Sequence, residues 1–123
     1  MLSKNEVKYI QSLKAKKQRL EAGAFVAEGH KTVLELLAHQ RWTVQALYGT
    51  DEFLQSIPQK LLLPPKTVVV SQAELERISF LQTPQSCLAV VALPASTPAL
   101  FPATAWSLLL DDIQDPGNLG TII

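Results

Sequence analysis

Residues able to do chemistry gather at two places in this 123-residue chain. Near one end, Asp115-Pro116-Gly117-Asn118 follows Asp111, Asp112, Ile113 and Gln114 and leads into Leu119-Gly120. Asp, Pro, Gly and Asn each favour tight turns. The leucines at 108–110 upstream read as a buried strand running into that turn, with a helix about to start. In open α/β sheets, ligands bind at such carboxyl ends of strands. The amide of Asn118 can hydrogen-bond and orient a neighbour, but it cannot deprotonate a hydroxyl. Asp111 and Asp112, adjacent on a strand, point to opposite faces and do not make a metal pair.

The second place is basic. Lys4, Lys8, Lys14, Lys16, Lys17 and Arg19 put six cations into sixteen residues. Residues 1–31 hold seven Lys/Arg against three Glu, and the remainder four against eight, on a chain of zero net charge. A basic end on a neutral chain is an electrostatic footprint for a polyanion. Lys14, Lys16, Lys17, Arg19 and Lys31 are the candidate phosphate contacts; the plainer alternative is a solvated face. His30 and His39 lack cysteine or acidic neighbours at ligand spacing, so no metal is expected. Cys87 is the lone cysteine and lies in an apolar run, which predicts inert core and a reducing, cytoplasmic setting. No apolar run approaches a membrane span and no signal peptide is visible, so no membrane partner is expected.

The elements that must position these groups follow from pattern. Ser3 with Glu6 makes a capping box for an amphipathic helix to about residue 21, with Val7, Ile10, Leu13 and Leu20 toward the core and Gly23 as the stop. Residues 24–27 read as a strand ending at Glu28-Gly29, where glycine permits the turn and the carboxylate is expected to cap the next helix, His30 to about His39. A second strand spans 43–48, closed by Gly49, and a short helix 51–56. The β-branched run 67–70 is a third strand, and Ser71 with Glu74 caps a helix to about Ile78. Residues 80–85 form a loop, and Cys87 to Ala92, apolar throughout, a fourth strand buried on both faces. Strands alternating with helices predict an α/β sheet covered on both sides. The proline-rich, uncharged stretch 94–105 reads as a stiff linker. It separates a first domain, 1–93, from the start of a second, 106–123.

The run from Leu108 to Gly120 resembles the first signature of the SpoU (TrmH-type) RNA ribose 2′-O-methyltransferases. There a strand enters D-P-x-N-x-G and an arginine follows six residues after the asparagine. Upstream, the basic helix, the strand into Glu28-Gly29, and Thr83-Pro84-Gln85 before Leu88-Ala89-Val90-Val91 are similar to that family's substrate-binding domain. Ser86 stands where many members carry glycine. The resemblance implies a three-layer α/β/α domain of the ribosomal-protein (L-thirty-e-like) type that binds tRNA or rRNA. It also implies the opening strand of a trefoil-knot domain, which binds S-adenosylmethionine and forms a homodimer. Asn118 would steer the arginine, expected one position beyond Ile123. On that footing the chain is the front part of an enzyme, monomeric and inactive by itself. The other class consistent with the residues is a stand-alone ribosomal-protein-like RNA-binding module without enzymatic activity.

Overall fold

Ser3 and Glu6 exchange both bonds of the capping box, 3.1 Å into the Ser3 hydroxyl and 2.9 Å into the Glu6 carboxylate, and α1 (Lys4–Ser12) begins there. The computed structural model describes residues 2–94 together with 103, 104 and 106. The linker and second-domain readings, with Asp111, Asp112 and Asn118, fall almost wholly outside those residues.

The single helix expected to residue 21 is two. Leu13, Lys14 and Ala15 donate to carbonyls three residues back instead of four, the tight geometry on which helices end. The chain restarts as α2 (Lys16–Ala22) and stops at Gly23, whose φ of 65° lies in the left-handed region. Arg19 bridges the break: its guanidinium donates to Leu13 O at 2.9 Å and Lys14 O at 2.8 Å, satisfying carbonyls that the helix end leaves free. Val7, Ile10 and Leu13 are buried as expected, but the break turns Leu20 outward to 65% exposure.

Four strands follow: β1 (Ala24–Glu28), β2 (Val44–Gly49), β3 (Lys66–Val69) and β4 (Cys87–Ala92), with α3 (His30–Ala38), α4 (Asp51–Ser56) and α5 (Gln72–Ile78) after the first three in turn. Their order in the sheet is β1-β4-β2-β3. β4 is antiparallel to both of its neighbours, and β2 is parallel to β3. Its position between β1 and β2 explains why β4 is apolar on both faces. Leu88 and Val90 join the core under α1 and α5, while Cys87, Ala89 and Val91 join the core under α3 and α4. The fold is therefore a three-layer α/β/α arrangement. Its interior rests on fully buried Ile10, Leu13, Leu47, Leu75, Ile78 and Leu88.

β1, β2 and β3 run in one direction, so α3, α4 and α5 all begin at the same edge of the sheet. Thr50 and Ser71 cap two of these helices through their hydroxyls. Gly29 caps α3 with φ 106° and ψ 144°, a conformation for which a side chain is poorly suited. Glu28 does not cap α3. Its carboxylate accepts from the Ser79 hydroxyl and from Phe80 N, the latter at 2.9 Å, and so anchors the chain leaving α5. The 83–86 loop closes this edge: Gln72 Nε2 donates to Pro84 O at 3.2 Å and Thr50 N to Ser86 O at 3.0 Å.

One irregularity breaks the sheet. Val44 pairs with Val91 but Ala46 with Val90, leaving Gln45 as an extra residue in β2. Such bulges re-aim side chains. Val44 packs with the α3/α4 core and Ala46 with the opposite one, although only two positions separate them.

Candidate nucleic-acid interface

Lys14, Lys16 and Lys17 are exposed on and just after the turn that Arg19 closes. Lys17 Nζ lies 4.0 Å from Glu21 in an exposed i,i+4 pair, a contact worth about 0.3–0.5 kcal/mol that a phosphate displaces readily. Arg19 is half-buried, and its bonds to the Leu13 and Lys14 carbonyls commit it to the backbone. Three ammonium groups on a guanidinium-fixed turn can hold a polyphosphate chain without base specificity.

Lys31 is exposed in the first turn of α3, at the edge where β1 ends. α1 lies beside α5 and runs the same way, with Leu2 N donating to Glu74 and the Gln11 amide to Arg77 O. α5 starts past the end of β3 and its exit, Ser79 and Phe80, is held by Glu28 at the end of β1, so both helices cross the strands toward the β1 side of the sheet. The turn carries Lys14, Lys16, Lys17 and Arg19, while Lys31 belongs to α3, which packs on the other face of the sheet from α1. Asn118 lies outside the described residues.

His30 packs edge-on against Phe53 with ring centroids 5.2 Å apart. Among the described residues no group of His, Cys, Asp and Glu is arranged to hold a metal ion. Cys87 is buried, and burial pushes its thiol up to about 11, so it stays protonated and unreactive at neutral pH.

Sequence reading missed a second polar cluster. Glu6 does more than cap α1: while one oxygen accepts from Ser3 N, the other meets Lys66 Nζ at 2.6 Å. The Lys66 ammonium, then the Ser3 backbone, hold the Glu6 carboxyl down to about 2. The bond to Glu6 in turn raises Lys66, and burial raises the adjoining Tyr48 phenol. The pair closes one side of a cleft of ≈ 340 Å³ between α1 and the sheet, with Tyr9 and Gln45 on its walls. Sixty residues separate Glu6 from Lys66, so no local pattern could announce the pairing.

The fold is a three-layer α/β/α domain that presents a lysine-rich turn. Residues 4–89 match the MRM3-like substrate-binding domain, and the chain belongs to that family. The chain is 33% identical over 122 residues to the 23S rRNA (guanosine(2553)-2′-O)-methyltransferase RlmP of Bacillus subtilis, covering 98% of this chain and 47% of that protein. It is 28% identical over 122 residues to the mitochondrial rRNA methyltransferase 3 of Xenopus laevis, covering 94% of this chain and 29% of the relative. A solved structure from Porphyromonas gingivalis, assigned to the TrmH family of RNA methyltransferases, superimposes with a TM-score of 0.79 at 38% identity, over 99% of this chain and 47% of the other. The SpoU methyltransferase AviRb of Streptomyces viridochromogenes, solved with AdoMet, shares the fold at 18% identity and a TM-score of 0.59, over 76% of this chain and 37% of its own. The chain spans less than half the length of these relatives. The SpoU resemblance read from the sequence is borne out.

Proposed function

We propose that this chain is the RNA-holding part of an S-adenosylmethionine-dependent RNA 2′-O-ribose methyltransferase acting on rRNA or tRNA. The observation that carries the reading is the match of residues 4–89 to a substrate-binding domain, together with near-complete coverage by relatives named as RNA methyltransferases. The cationic turn supports it physically, since phosphate contacts supply most of the affinity of such domains and fix register along the strand. Lys14, Lys16 and Lys17 make those contacts, and Arg19 holds the turn that presents them.

The chemistry is assigned to the region beyond the first domain. The methyl donor, the 2′-hydroxyl and the arginine steered by Asn118 meet there, in a knotted domain that also makes the homodimer. AviRb, solved with AdoMet, supports the choice of donor. On this reading the 1–123 chain is monomeric and inactive by itself.

The test is methyl transfer by the whole protein from labelled S-adenosylmethionine into rRNA and tRNA transcripts, followed by alkaline hydrolysis. A 2′-O-methyl group blocks cleavage of the adjoining linkage, so the label is expected in alkali-resistant dinucleotides. Label recovered only in mononucleotides marks base methylation and contradicts the proposal.

A further inference from the structure

The cleft between α1 and the sheet belongs to neither the cationic turn nor the assigned chemistry, yet it is built. Its floor is Ala46 and Val90, both buried. One wall is Tyr9, which stays 43% exposed although the core stripe of α1 passes close by in sequence, Val7 two residues before it and Ile10 one after. The Glu6–Lys66 pair forms a polar end that is satisfied internally and so holds its shape. The decisive feature is the bulge. In a regular strand Gln45 and Ala46 face opposite sides of the sheet; here the extra residue lets both line the same cleft. An exposed amide, carrying a donor and an acceptor, is thereby brought to the rim, with Asn5 near it on α1.

Beside this row runs a second one. Lys4 and Lys8 stand four residues apart, as Asn5 and Tyr9 do, so two parallel stripes on α1 carry cations and cleft-lining groups respectively. Cations beside an apolar slot with an aromatic wall and amide edges match a nucleotide: phosphate outside, flat heterocycle inside.

We propose that this cleft receives one unpaired base of a bound RNA, stacked on Tyr9 and hydrogen-bonded at its edge by the amides of Gln45 and Asn5, while Lys4 and Lys8 take the flanking phosphates. The proposal rests on the RNA-holding reading above and makes it specific: the domain prefers single-stranded segments to continuous duplex.

The test is fluorescence anisotropy with the 1–123 chain and fluorescein-labelled RNA, a single strand against the same strand annealed to its complement, at one salt concentration. The single strand is expected to bind about five-fold more tightly or better, the lower end of what base–aromatic stacking supplies. Tyr9→Leu, at an exposed position, removes that preference by weakening the single strand alone, and Gln45→Ala reduces it. Lys16→Glu with Lys17→Glu weakens both forms and keeps their ratio. Equal affinities for the two forms, or a ratio unchanged in both Tyr9→Leu and Gln45→Ala, overturn the base-binding cleft and leave the RNA-holding reading standing. Absence of binding to either form by the parent chain overturns both.

Discussion

Reversing Lys16 and Lys17 to glutamate tests whether the cationic turn touches phosphate. Both side chains are exposed, and Lys17 has only a 4.0 Å surface pair with Glu21, so the fold should not notice the change. Counterion release gives a slope of about −0.7 in log K against log salt for each phosphate neutralised on a single strand. With Lys14, Lys16 and Lys17 each on a phosphate, raising salt from about 50 to about 200 mM costs roughly 18-fold in affinity; with Lys14 alone the loss is about 3-fold. Arg19→Ala is the control. It removes two bonds to backbone carbonyls at 2.8–2.9 Å, expected to cost about 1–2 kcal/mol of stability while leaving the salt slope near the parent's. Anisotropy titrations at four or five salt concentrations read the slope, and thermal melts read the stability. A double reversal that keeps the parent slope and affinity refutes the reasoning, and the lysines are then a solvated face.

Three further outcomes are expected. Gly29→Ala should lower stability by about 1–3 kcal/mol, because the backbone there has φ 106° and a Cβ would sit 2.9 Å from Gln85 Oε1; the Gln85 side chain can swing aside, so the backbone term dominates, and an unchanged urea midpoint contradicts this. Glu6 is held below its ordinary 4.5 to about 2, so its contribution is complete above pH 4.5 and is lost as pH falls from there through about 2, whereas Lys66, raised above 10.5, loses its contribution only as pH climbs through its folded value. With Lys66 half-exposed and Glu6 partly so, solvent screening limits the acid-side change to about 1 kcal/mol, and Glu6→Gln should flatten it in urea midpoints measured against pH; an identical acid leg in the variant contradicts the assignment. Truncation after Pro94 should leave the melting temperature of the first domain nearly unchanged, since Leu93 N still donates to Gly23 O at 2.8 Å, and a drop of many degrees would place the domain boundary further along the chain.

What was legible in the sequence was what is decided locally. Ser3 with Glu6 and Ser71 with Glu74 form both expected capping boxes, Gly23 is the left-handed stop, and the fourth strand is buried on both faces. The break after Ser12 was not legible. Leu13 and Leu20 stand seven residues apart, a spacing that one continuous helix satisfies equally well, and the tightened turn at Leu13–Ala15, bridged by Arg19, carries no local mark. Glu28 was expected on the next helix, yet its acceptors serve residues 51 and 52 positions away. The strand order escaped for the same reason, because four apolar strands carry no mark of which one lies between which. The bulge at Gln45 depends on register with β4, and a run that alternates well enough to read as a strand hides it. Of the proposed site, the basic residues could be read from composition, but that Lys31 sits on a helix packed against the other face of the sheet from α1 required the topology.

The most direct measurement of the central claim is ribose-methylation mapping of total rRNA and tRNA from source cells with and without the gene for the whole protein. The account predicts the loss of 2′-O-methylation at one or a few discrete nucleotides and its return when the intact gene is restored. A complete and unchanged ribose-methylation map in the deletion strain would contradict it.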